Sequence, residues 1–258
     1  MPPFIRYLLP VATLLAFIGG WEWMVIAQDI KPYVLPAPSA IAGAMVEHFE
    51  LLAGSAWVTL RLSLVAFVLA VLAGIMMAAI FSQSRIIELA FFPYAVILQV
   101  TPIVAIAPLI LIWVGLENVE TALVLLAFIA AFFPVLSNMT IGLRSADKGL
   151  LDLFRLHGAG RFQTFFRLQL PAAMPYLLSG MKISGGLAVI GLVVAEFVAG
   201  TGSSNGLAWR IIEAGNRLQI ARMFAALVFL SALGVGIFAI LRLVEHLALR
   251  RWYADQSG

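Results

Sequence analysis

The chain has 258 residues, 63% of them hydrophobic and 11% charged, with no cysteine and a formal net charge of +3. A soluble domain carries roughly 25% charged residues, so this composition, with a mean hydropathy of +1.04, describes an integral membrane protein. It excludes a disulfide framework, a thiolate metal site and a cysteine nucleophile, and it gives a nucleic-acid-binding reading no support.

Residues 7–27 form the first apolar run, long enough for a bilayer core of about 30 Å. Trp21 and Trp23 stand near its end, as interfacial aromatics do. The run is too long for a signal-peptide core, and Trp21-Glu22-Trp23 occupies the place of a cleavage site. A Pro-rich loop covers 28–38. From Ser39 a short helix is expected, with Ile41, Ala44, Met45, His48 and Phe49 on one side and Glu47 and Glu50 on another, lying in the interface. The second span is 57–81, with Arg61 one turn inside its start and able to snorkel back. Residues 82–88 read as a polar turn. The third span, 89–115, holds Pro93, Pro102 and Pro108 beside Gln99 and Thr101. Proline frees backbone carbonyls, so this helix is expected to kink or break and to need shelter from lipid. The fourth span, 122–141, contains Pro134 and Asn138.

The segment 144–167 then reads RSADKGLLDLFRLHGAGRFQTFFR, with seven charged residues. Flanked by spans, it must sit in water. Leu150, Leu153 and Phe154 share one helical face, and Gly158-Ala159-Gly160 breaks the helix. Phe162, Phe165 and Phe166 share a face of a second short helix, opposite Arg161, Gln163, Thr164 and Arg167. Pro171 is expected to stop that helix. Two amphipathic helices between spans suggest a docking surface. The fifth span, 172–199, offers Gly180, Ser184, Gly191 and Ala195 for close helix packing. Those small residues, and the lack of a second similar half, suggest a dimer. Residues 200–216 are rich in Gly, Ser and Asn and then briefly helical. The sixth span is 221–244.

Six spans place both termini and the 144–167 loop on one side. That side collects Arg6, Arg85, Arg144, Lys148, Arg155, Arg161, Arg167, Arg242, Arg250 and Arg251, against Lys31, Arg61, Arg210, Arg217 and Arg222 on the other. The excess of positive charge marks the loop side as cytoplasmic.

The loop carries a family resemblance. Asp152-Leu153-Phe154, three residues, Gly158, nine residues and Leu168-Gln169-Leu170-Pro171 resemble the E-A-A…G…I-x-L-P loop of ABC importer permeases. Asp152 keeps the acidic position, while two small residues become Leu and Phe. The likeness extends from about residue 35 to the C-terminus, dividing the chain into an N-terminal helix and loop (1–34) and a permease domain (35–258). It is strongest to the group that handles nitrate, sulfonate, taurine and bicarbonate, which includes thiamine-pyrimidine and riboflavin permeases. The runs that begin at Gln99 and Met223 resemble the vitamin-precursor permeases more.

The resemblance implies an all-α, six-span fold of the type I importer kind. It also implies a permease dimer with two ATPase subunits, an extracytoplasmic solute-binding protein and surrounding lipid. Asp152, Gly158, Arg161, Phe162, Phe165, Phe166, Leu168 and Pro171 would form the coupling surface. The chain has no G-x-x-x-x-G-K-[ST], so a separate subunit would bind ATP. No catalytic residue, cofactor or metal ligand set is expected. His48, His157 and His246 are too scattered for a metal site.

For the pathway the candidates are Gln99, Thr101, Asn138 and Glu196. For Glu196 two readings stand equally, a cavity-facing carboxylate and one that reaches interfacial water. Gln99 and Thr101 serve equally as helix–helix hydrogen-bonding groups. Lys182 reads as a snorkelling or packing residue, and Glu213 with Arg217 as a helix-stabilising pair. A stand-alone secondary transporter would need more carboxylates in the spans, and a membrane enzyme would need a clustered polar site.

Overall fold

The structure is a computed structural model that describes residues 3–200 and 205–254. The Gly/Ser-rich residues 201–204 and the side chains of Arg6 and Arg251 lie outside the described residues. Every described element is helical: α1 Pro3–Ala27, α2 Pro38–Glu47, α3 Phe49–Gln83, α4 Arg85–Val100, α5 Ile103–Val114, α6 Val119–Arg144, α7 Lys148–Leu156, α8 Arg161–Thr164, α9 Leu170–Ala199, α10 Leu207–Asn216 and α11 Ile220–Ala254. By contacts the chain divides into two units, one built from 1–58 with 205–231 and the other from 59–204 with 232–258.

Five helices are long and apolar enough to cross a membrane, and α4 with α5 make a sixth candidate bent by 102°. The bend follows from Thr101-Pro102. A residue before proline is driven to extended backbone, and Thr101 sits at φ −71°, ψ 123°. Its hydroxyl and its N–H both donate to the Ile97 carbonyl, at 2.7 and 3.1 Å, which closes the end of α4. The break expected in the third span is therefore present, at Pro102, while Pro93 and Pro108 stay inside helices.

Two ion pairs fix the direction of the surrounding helices. Arg61 on α3 binds both carboxylate oxygens of Glu120 on α6, at 2.7 and 2.9 Å. Glu88 at the start of α4 pairs with Arg144 at the end of α6. From Arg61 to Gln83 and from Glu120 to Arg144 are climbs of roughly 33 and 36 Å at 1.5 Å per residue. The two helices therefore run parallel, and the bent pair between them must return the chain across the membrane. That makes α4–α5 a broken span and not a re-entrant loop. Arg61, expected to snorkel, is instead held by a carboxylate.

The second unit is built on α6 against α9. Gly180, Ser184 and Gly191 face α6, and Ala195, one turn beyond Gly191, is fully buried. A Cβ on Gly180 would lie 2.9 Å from the Pro134 carbonyl oxygen, and one on Gly142 would lie 2.8 Å from Tyr176 Cβ. Ser184 Oγ donates to the Ala131 carbonyl at 2.6 Å. The small-residue stripe is consumed inside the chain, so it gives no support to a dimer. Towards the loop end, Phe81 of α3 joins Leu136, Met139, Leu143 and Leu177 in one apolar cluster. Lys182 forms an ion pair with Glu245 at 2.8 Å.

In the first unit, Trp21 stacks edge-on against Phe224, with centroids 5.8 Å apart. The Glu22 carboxylate accepts from the N–H and hydroxyl of Ser39, at 3.0 and 2.6 Å, and so caps the first turn of α2.

Candidate functional site

The loop after α6 is assembled from local signals. Asp147 caps α7 by accepting from the Leu150 N–H at 3.0 Å. At the other end Ala159 N–H donates to Phe154 O and Gly158 N–H to Arg155 O, at 2.9 and 3.0 Å. This is a Schellman corner, which needs a residue at positive φ. Gly158 supplies it at φ +71°, so the glycine of the motif is there for its backbone. None of the nine residues of α7 is buried. Leu150, Leu153 and Leu156 are uncovered, with Asp152 and Arg155 paired at 3.1 Å alongside.

The second expected helix is not separate. Arg161–Thr164 runs through a π-turn, Phe165–Gln169, directly into α9. Pro171 therefore does not stop the pattern. Its ring would crowd the carbonyl four residues back, and the wider turn, in which Leu170 N–H reaches Phe165 O, carries the helix past it. The three phenylalanines separate as well. Phe165 is only 9% exposed and joins the cluster of Phe81 and Met139, whereas Phe162 and Phe166 are 79% and 60% exposed. The expected docked face thus keeps two of its three rings, and the third serves the chain's own core.

Phe162 and Phe166 flank a small apolar groove with Ala79 and Ile80. A neighbouring polar cavity of about 420 Å³ lies between Gln83, Leu151, Arg155 and Arg161. Leu168 and Pro171 are half-buried. Sequence reading missed Glu88. It was placed in a polar turn, but its carboxylate is buried between Arg85, at 3.0 Å, and Arg144. That triad ties the start of the broken span to the residue from which the loop departs.

The pathway candidates do not converge. Asn138 donates to the Pro134 carbonyl on its own helix at 2.8 Å and lies at the α6–α9 contact. Gln99 is exposed, and Thr101 is spent on closing α4. Glu196 is 2% exposed, one turn before the end of α9. A buried carboxylate in a span is costly, so the reading in which it reaches interfacial water is not the one observed. Among the described residues no metal-holding group of acidic or histidine side chains occurs.

In the first unit, Glu213 gathers Arg210, Arg217 and Arg222 at 2.8, 3.1 and 3.3 Å. The pair expected with Arg217 is there, within a larger cluster. The Arg210 guanidinium that hydrogen-bonds Glu213 holds its carboxyl below the usual carboxylate range; burial opposes this, and the charges of Arg222, Arg210 and Arg217 add to it. A lowered folded value contributes stability that is present above an unfolded pKa of about 4.3 and is lost as pH falls through the folded value. Thermal melts of the purified protein should lose stability on acidification below about pH 4.3. The Glu213→Gln variant should be less stable at neutral pH and lose less on acidification. An identical acid response in both would remove Glu213 from the account.

With that geometry in place, comparison with known proteins assigns the chain. The family model described as the binding-protein-dependent transport system inner membrane component matches residues 70–251. The chain belongs to this family. A probable ABC transporter permease protein of Haemophilus influenzae is 32% identical, covering 91% of this chain and 94% of that protein. The riboflavin transport system permease protein RibX of Chloroflexus aurantiacus is 32% identical over 96% and 90%. Permeases named for formylaminopyrimidine, aliphatic sulfonates and taurine also match, at 30, 31 and 28% identity. The crystal structure of an amino acid ABC transporter with histidines superposes with a TM-score of 0.65 at 19% identity, covering 80% of this chain and 96% of that one. It shares the permease fold. This chain is therefore the membrane permease subunit of an ABC importer, a class that works with an ATPase and a binding protein.

Proposed function

We propose that this permease imports a thiamine-pyrimidine- or riboflavin-type vitamin precursor by alternating access, working as a homodimer whose 144–171 loops dock on two ATPase subunits. The observation that carries the docking is α7. An amphipathic helix outside the bilayer, with Leu150, Leu153 and Leu156 uncovered and Phe154 half-buried, is suited to lie in a partner's groove. Arg161 and Arg167 would meet acidic groups at the rim. ATP-driven closure of the ATPase pair would then move the loop, and with it α6 and α9, around a central cavity. Aliphatic sulfonates or taurine form the second reading, because relatives named for them match at similar identity.

Proteoliposomes holding the permease, its ATPase and its binding protein should take up the solute only with ATP. Uptake without ATP would turn the reading to a stand-alone secondary transporter. The solute itself is read by the ligand that co-purifies with the binding protein; an alkanesulfonate there would replace the vitamin-precursor reading.

Orientation rests on the positive-charge excess on the loop side. A cysteine at Ala159 should be labelled only from the cytoplasm, and one at Asn118 only from outside. Labelling of Ala159 from outside intact cells would reverse the topology.

A further inference from the structure

One stripe of α11 changes character along its length. Val235 and Phe238 are 69% and 53% exposed. Arg242, His246 and Arg250 continue the same face at successive intervals of four. These three cationic or titratable side chains line an open cavity of about 410 Å³ with Glu245 and Leu249. The Glu245 carboxylate is already paired with Lys182 at 2.8 Å. Neither Arg242 nor Arg250 has an acidic partner among the described residues. The preceding stretch, 223–241, contains no charged residue. At 1.5 Å per residue it climbs about 28 Å, close to a hydrocarbon core. Arg242 thus stands where acyl chains give way to headgroups, and Arg250 two turns beyond.

We propose that this face is a binding site for the phosphate-ester headgroup of an anionic phospholipid. Arg242 and Arg250 hold the phosphate, His246 donates a hydrogen bond between them, and one acyl chain lies along Phe238 and Val235. Basic pockets at the ends of membrane spans favour such headgroups. The apolar continuation of the stripe is what distinguishes a lipid from a free phosphate, which has no use for it. The inference rests on the embedding of α11 and is independent of the solute.

Native mass spectrometry of the full-length permease complex, stripped of lipid in detergent and titrated with dioleoyl phosphatidylglycerol or dioleoyl phosphatidylcholine, tests it. The wild type should retain phosphatidylglycerol preferentially. Arg242→Gln with Arg250→Gln should weaken that binding by roughly 25-fold, about fivefold for each surface cation, and leave phosphatidylcholine unchanged. Arg242→Lys with Arg250→Lys keeps both charges and should restore most of the preference. Equal retention of the two lipids by the wild type, or undiminished phosphatidylglycerol binding in the glutamine variant, would overturn the proposal. Displacement of the lipid by millimolar glycerol phosphate would assign the pocket to a free phosphate ester and overturn the lipid as its ligand.

Discussion

Replacing Gly191 by Leu should lower the melting temperature of the purified permease by about 2–12 °C, while Gly186→Leu on the same helix should leave it unchanged. A Cβ at position 191 would lie 2.8 Å from Ala130 Cβ and 3.1 Å from Ala127 Cα, whereas at 186 it meets nothing within 4 Å. The obstacles at 191 belong to the backbone and first carbon of α6, so no flexible side chain can move aside. The helices must separate. Overpacking of this kind costs typically 1–3 kcal/mol, and each kcal/mol is worth about 2–4 °C for a chain of this size. Both variants bring the same hydrophobic side chain and lose the same glycine. Equal melting temperatures would mean that the α6–α9 contact does not limit stability.

Phe162→Ala should reduce co-purification of the ATPase and abolish most ATP-driven uptake, with the melting temperature of the permease unchanged. The ring is uncovered on the loop side of the chain, and loss of an interface anchor costs about 2 kcal/mol, close to 30-fold in affinity. Phe165→Ala should do the reverse. Its ring is buried against the end of α3 and α6, where truncation of a phenylalanine costs about 3–5 kcal/mol, so the permease itself should melt lower. Phe162→Ala complexes that assemble and transport as the wild type would defeat the docking assignment. A Phe165→Ala permease of unchanged stability would mean that this ring belongs to the partner.

The contrast between these phenylalanines shows how far sequence reaches. Periodicity puts 162, 165 and 166 on one helical side, but it does not say which of them meet the same chain. Uninterrupted apolar runs made the spans legible, Pro102 gave the break, and Gly158 gave the corner. Two other left-handed helix ends carried no such mark. Asp29 and Leu218 adopt φ of +46° and +56°, with Ile30 and Gln219 donating back to Val25 and Ala214, and neither is a glycine. The clamp of Glu88 on Arg144 joins residues 56 positions apart, a distance at which no local pattern exists. The stripe at 180, 184, 191 and 195 was read correctly as a packing surface. The partner it had found, α6, lies in the same chain.

The unbroken run from Arg161 to Ala199 makes the loop one end of a rigid lever. From Arg161 to Glu196 is about 52 Å at 1.5 Å per residue; the π-turn at Phe165–Gln169 keeps hydrogen bonds past Pro171, and Pro175 lies inside α9 without ending it. A joint there would have absorbed any push from below as local bending. Without one, a 5° tilt imposed at Arg161 displaces the far end by about 4–5 Å, close to the diameter of a methyl group. The same stiffness works in reverse, so a solute that holds the far end of α9 in one position resists movement at the loop.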